Sequence, residues 1–183
     1  MTLAKKKGYR IETKTLKAKL HRDNIDLSET LSVYRESIAF YIQVINTDST
    51  AVDFAVDKMR SYYEELTLGV NNKYPFIYSD MPRDLRWDVI TTACGHYKSW
   101  RKNYYNWLKK EEKRVDAAFK KGVPHKPYKP PVLPTEVKDS PTYYKYSMFK
   151  DDDGSTVILK IRKNNNWCWV KFSYSAYNYS DDW

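Results

Sequence analysis

Apolar positions recur along this chain in distinct rhythms, and each rhythm predicts an element. Leu27, Leu31, Tyr34, Ile38, Tyr41, Ile42 and Ile45 fall three and four apart, the spacing that gathers side chains on one helical face. Asp26 and Glu29, just ahead of the stripe, have the spacing of a capping box, and Asn46 is a stop. A second stripe, Val52, Ala55, Val56, Met59, Tyr62, Tyr63 and Leu66, predicts a helix from near Thr50 to Gly69. Gly69 to Tyr78 reads as a loop. A third helix opens at Asp80, carries Pro82 in its first turn and runs to about Lys121, where Gly122 and Pro124 end it. At 1.5 Å per residue it would be ~60 Å long. Gly95 within it marks a bend or a close helix contact.

The flanks follow other rules. Tyr9–Leu20 mixes β-branched and basic residues with partial alternation, which predicts a strand with Arg10, Lys14 or Lys17 on one face. Six of the eight prolines fall in residues 124–141, which predicts a semi-extended linker and not a core element. Three strand-like runs follow, Tyr143–Lys150, Thr156–Ile161 and Trp167–Tyr174, joined by the turns DDDGS and RKNNN. A three-strand meander with Trp167 and Trp169 cannot bury both faces alone. The basic N-terminal strand is its natural partner, so an α+β fold is expected in which that strand pairs with the meander.

Charge sharpens this picture more than composition does. The formal net charge is +9, but it is segregated. Residues 1–24 hold 8 basic and 2 acidic groups, residues 25–94 hold 6 and 11, residues 95–130 hold 11 and 3, and residues 131–183 hold 7 of each. Two basic blocks around an acidic middle are the footprint of a polyanion partner. The 17 Tyr and 6 Trp suit a binding surface, because each ring joins a stacking face to a polar handle, but such rings also fill cores. Cys94 and Cys168, the two cysteines, build neither a disulfide framework nor a Cys-rich zinc site. There is no apolar run of membrane-span length and no signal-peptide core, which points to the cytoplasm.

The third helix concentrates the candidate binding residues. Leu85, Val89, Ala93, His96, Tyr97, Trp100, Tyr104, Trp107, Leu108 and Val115 share its apolar side. Opposite lie Lys98, Arg101, Lys102, Tyr105, Lys109, Lys113 and Lys120, with only Glu112 and Asp116 among them. That stripe fits a phosphate-tracking surface, with Tyr105 placed to stack on a base. Its bland counterpart is a solvated helix face. Trp100 and Trp107 lie on the apolar side and are expected in the core.

Catalytic chemistry finds little support. Asp151-Asp152-Asp153-Gly154 lacks the alternating ligands and distal Glu of a calcium loop, and adjacent carboxylates in a hairpin serve turn geometry. His21, His96 and His125 are scattered, and Cys94 and His96 stand two apart on a helix and do not face each other. No nucleophile elbow, Walker or dinucleotide fingerprint occurs. Neither a catalytic set, a metal site nor a cofactor is expected.

Four stretches in order carry a family likeness: RIETKTLKAKL, MPRDLRWDVITTACGHYKSWRKNYYNW, HKPYKPPVLP and YYKYSMFKDDDGSTVILKIRKNNNWCWVKFSY. Together they resemble the N-terminal portion of the TnpB-type RNA-guided transposon nucleases and of compact type V CRISPR effectors. The resemblance implies a small oligonucleotide-binding-like β-barrel, the wedge, with an inserted helical recognition domain. Residues 1–25 would be the first wedge strand, 26–122 the recognition domain, 123–134 a Pro/Lys-rich linker and 135–183 the wedge hairpins. It implies a guide RNA and target DNA as partners. The family's RuvC-like nuclease domain would begin where this chain ends, and its acidic motifs and zinc cysteines are not in the sequence. Cleavage would then need a separate RuvC-like subunit. A split subunit, a remnant with a new role and a fragment remain open, as does a homo-oligomer. The competing expectation is a regulatory or inhibitory interaction protein that mimics this lobe and occupies its RNA or its protein partner.

Overall fold

A computed structural model describes residues 18–20, 26–70 and 72–176 of the chain. Helix α1 spans Ser28–Thr47, α2 Val56–Leu68 and α3 Arg83–Lys120, and strand β1 spans Ala18–Leu20, β2 Phe149–Lys150, β3 Thr156–Lys163 and β4 Asn166–Ala176. The fold is α+β. Strands β2, β3 and β4 form an antiparallel meander, and β1 adds antiparallel to the β4 edge, giving the order β1-β4-β3-β2. The pairing of the N-terminal strand with the meander is therefore present over Ala18–Leu20, opposite Tyr174–Ala176. The expected barrel is not. Its closure would need β1 and β2 to meet, and among the described residues both are edges of an open sheet.

The helical stripes behave as their spacing demands. Tyr34, Ile38, Tyr41, Ile42 and Ile45 of α1 are essentially fully buried, and they pack with Met59 and Tyr63 of α2 and Leu85, Val89, Ile90 and Ala93 of α3. Helix α2 starts later than the stripe suggested. Residues 50–54 form a turn that still buries Ala51 and Val52, so periodic burial there is not helix. The capping box does not form. Asp26 accepts from the Ser28 amide, but Glu29 turns away to Arg162 and the Asn165 amide of the β3–β4 turn. Gly95 is exposed, with open space where a side chain would go, so no close helix contact explains it.

Helices and sheet are joined at one end of β3. Arg162, almost buried, pairs with Asp80 at 2.8 Å and Glu29 at 3.4 Å. Its amide donates to Thr30 Oγ1 at 2.9 Å, which ties α1 to the sheet. Met148 and Trp167 pack on the helical core, while Val157, Ile161 and Phe172 form a smaller cluster on the opposite sheet face. Of the first strand-like run, Tyr143–Lys150, only Phe149–Lys150 is strand and pairs with β3, and Tyr146–Met148 form a turn ahead of it. Asn164 and Asn165, both at positive φ, make the two-residue β3–β4 hairpin turn that Asn tolerates better than bulky residues.

The Pro-rich segment is the largest departure from expectation. It is extended, but it is a strap and not a free linker. After Gly122 (φ +64°) stops α3, the chain turns back and runs antiparallel to the helix. Tyr128 lies by Glu111, Pro131 by Trp100, Asp139 by His96 and Thr142 by Asp88. Extended chain advances about 3.1 Å per residue against 1.5 Å for helix, so a short strap can return along a long helix. Leu133 and Val137 pack against the helical core.

Candidate nucleic-acid interface

Helix α3 divides along its length. Its first half is buried through Leu85, Val89, Ile90, Ala93, Cys94 and Tyr97. Beyond that, Tyr97, Trp100, Tyr104 and Trp107 form a ladder of rings with successive centroids 5.5, 5.4 and 5.5 Å apart. The strap covers this ladder. Trp100 Nε1 donates to the Pro131 carbonyl at 3.0 Å and Trp107 Nε1 to the Tyr128 carbonyl at 3.2 Å. Aromatic grooves that grip proline-rich chain use the same two contacts, ring packing and an indole donor, and here both partners lie in one chain. Trp100 packs against the helical core, as its helical angle implied, whereas Trp107, expected in the core, lies half-buried beside the strap and outside that core.

Glu111 fastens the strap's start. It accepts from His125 Nε2 at 2.6 Å, Arg114 at 2.8 Å and the Tyr128 amide at 3.2 Å. Partial burial opposes its ionisation, but the bonds from Arg114, His125 and Tyr128 outweigh that and hold its carboxyl below the ordinary range. The Arg114 guanidinium also lies 3.8 Å from the Tyr128 ring centroid.

The opposite side of α3 carries the cations, but they are not equivalent. Arg101 pairs with Asp53 at 2.8 Å, and Lys98 approaches the same carboxylate at 3.9 Å. The α1–α2 connection thus brings a carboxylate that helical periodicity along α3 alone could not reveal, and it half-neutralises one end of the stripe. Lys102, Lys109 and Lys113 are exposed and form no ion pair with a described residue, and Tyr105 projects among them, 57% exposed. Arg10, Lys14 and Lys17 lie outside the described residues.

A second cationic surface was not singled out by sequence reading. Pairing of Lys160 with Trp169 and of Ile158 with Lys171 puts these four on one sheet face, together with Lys150 opposite Ile158. The Lys150 and Lys160 ammonium groups lie 4.8 and 5.6 Å from the Trp169 ring centroid. Trp169 is 38% exposed, so the ring and its cations face solvent. The same face ends in Arg162 and Trp167, which dive under the helices. The alternation Trp167, Trp169, Lys171 held the signal, but the partner cations arrive from β2 and β3 by register.

The acidic turn is committed to its own geometry. Asp153 accepts from the Ser155 and Thr156 amides and both hydroxyls, and these bonds hold its carboxyl well below the ordinary range. Asp152 accepts from the Gly154 amide and from Tyr174 Oη. Cys94 is buried, and burial pushes its thiol up to about 12, which suppresses the reactive thiolate. No helix among the described residues is long and apolar enough to cross a membrane.

Fold and surface together define a class: a small α+β protein whose long strapped helix and open sheet each present lysines around an exposed ring. The Aq_aa04 family model matches residues 14–163, and the chain belongs to that family. No curated protein and no solved structure matches it.

Proposed function

We propose that this protein is a nucleic-acid-binding module without catalysis of its own. The observation that carries the reading is the line Lys102, Tyr105, Lys109 and Lys113 on α3. These residues are spaced at one helical turn, exposed, and without an acidic partner among the described residues. Unpaired lysines along a rigid helix exchange condensed counterions for phosphates, and an exposed Tyr among them adds stacking. The likeness to the N-terminal lobe of TnpB-type nucleases extends the proposal. The ligand would be a guide RNA and its target DNA, and cleavage would fall to a RuvC-like partner.

The test is a titration of the protein against structured RNA and duplex DNA at several salt concentrations. Binding should weaken with salt at a log–log slope of about −0.7 to −0.9 per phosphate contact. The triple variant Lys102→Ala, Lys109→Ala, Lys113→Ala should lose close to three contacts of slope. A wild-type slope in that variant would mean that the face is only solvated. A protein partner recovered with no nucleic acid at all would favour the regulatory reading instead.

A further inference from the structure

A cleft of about 490 Å³ lies between the start of α3, Arg60 of α2 and the turn after the strap, and no residue of the cationic stripe lines it. Its walls are Arg60, Asp84 and Trp87 on one side and Tyr144, Lys145 and Tyr146 on the other. That volume lies in the range of small-molecule sites. We propose that this cleft binds a nucleotide, taking its base between aromatic rings and its phosphate on Lys145 and Arg60.

The Trp87 ring is held rigidly. Its indole nitrogen donates to Glu64 Oε2 at 3.0 Å, and Glu64 is itself paired with Arg86. The Arg83 and Arg60 guanidinium groups lie 4.1 and 5.6 Å from its centroid. A ring fixed by its edge and polarised by cations presents a preorganised stacking surface.

The facing turn is unusual in a way that packing does not explain. Tyr146 sits at φ +69°, a region unfavourable for a bulky residue and one that Gly enters freely. Three backbone bonds hold it there: Tyr146 amide to the Phe149 carbonyl, and the Met148 and Phe149 amides to the Tyr144 carbonyl. Yet the side chain is 79% exposed, so the strain is not repaid by burial. A strained residue that presents an exposed ring at the mouth of a cleft is the pattern expected of a ligand contact. Lys145 Nζ lies 5.3 Å from that ring, and Tyr144 is also 41% exposed.

The polar groups then divide by ligand part. Lys145 forms no ion pair with a described residue, and Arg60, whose Nε donates to Thr91 Oγ1 at 2.9 Å, brings Nη1 to Asp57 only at 3.8 Å, so the Lys145 ammonium and the terminal nitrogens of Arg60 are left for a phosphate. Asp84 is the acceptor left for a base amino group or a sugar hydroxyl. A free mononucleotide and the 5′-phosphorylated end of a single strand share this chemistry. The inference does not rest on the α3 stripe.

Titration calorimetry on the full chain tests it, with AMP, GMP, adenosine, ribose 5-phosphate and a 5′-phosphorylated tetranucleotide. AMP or GMP should bind, and adenosine and ribose 5-phosphate, each lacking one half, should bind much more weakly. Tyr146→Gly should weaken the nucleotide by about tenfold, the scale of one lost stacking contact, while leaving Tm at or above that of the wild type. Lys145→Ala should weaken AMP but not adenosine. Tighter binding of the tetranucleotide than of AMP, lost with Tyr146→Gly, would identify a strand end. A tetranucleotide no tighter than AMP would identify a free nucleotide. The proposal is overturned if no mononucleotide binds the wild type, or if both cleft variants bind it normally. It is equally overturned if binding disappears only in the Lys102, Lys109 and Lys113 triple variant, which otherwise reports solely on the stripe.

Discussion

Arg101 directs one guanidinium nitrogen to both carboxylate oxygens of Asp53, each at 2.8 Å. An exposed pair of this kind adds only about 0–1 kcal/mol to stability, so its larger effect is on the field along α3. Asp53→Ala should free Arg101 and Lys98 together. Affinity for RNA or DNA should rise, and the salt dependence should steepen by about one contact or more. Unchanged affinity and slope would exclude Arg101 and Lys98 from the interface.

Neighbouring tyrosines on α3 should separate binding from packing. Tyr105 is exposed, whereas Tyr104 stacks between Trp100 and Trp107 under the strap. Tyr105→Ala should cost ~1–3 kcal/mol of binding with little change in salt slope and little change in Tm. Tyr104→Ala should lower Tm and affect binding only through stability. Denaturation and titration of the two variants check both halves, and equal effects of the two would defeat the distinction.

The strap should loosen in acid. Because the folded-state Glu111 carboxyl titrates below its ordinary value, its contribution is complete above the unfolded pKa, about 4.3, and is lost as pH falls through the lower folded value. The Tyr128 amide, which donates to Glu111, reports this directly. Its NMR shift should move in that acid window, and Glu111→Gln should abolish the transition. A Tyr128 shift that moves identically in the variant would assign the transition to another group.

Gly95 offers a stabilising change. It stands inside α3, exposed, with room for a methyl group and no positive φ to require glycine. Gly95→Ala should add ~1 kcal/mol and raise Tm by about 2–4 °C, measured by thermal unfolding. A fall in Tm would mean that α3 must flex at this point.

Much of this protein follows from local pattern, because helical burial and turn chemistry are short-range. The stripe through Tyr34, Ile38, Tyr41 and Ile45 placed α1 and its buried face, Gly122 marked the end of α3, and the Asn-rich hairpin placed the β3–β4 turn, whereas α3 starts at Arg83, after Pro82, and not at Asp80. The angular position of Trp100 marked it as a packing residue and that of Tyr105 as exposed, but Trp107, on the same side as Trp100, stays outside the core. What the pattern could not supply were contacts made across the chain. Proline content marked 124–141 as extended, but only the tertiary fold laid it on the Tyr97–Trp107 ladder. Asp53 met Arg101 because α2 begins at Val56 and leaves the preceding turn beside α3. Lys150 and Lys160 reached Trp169 through strand register, and Tyr146 and Trp87 share a cleft though 59 residues separate them. Periodicity fixes which side of an element faces inward. Which partner waits there depends on how elements dock, and that is settled only when burial, pairing and chain closure are satisfied together.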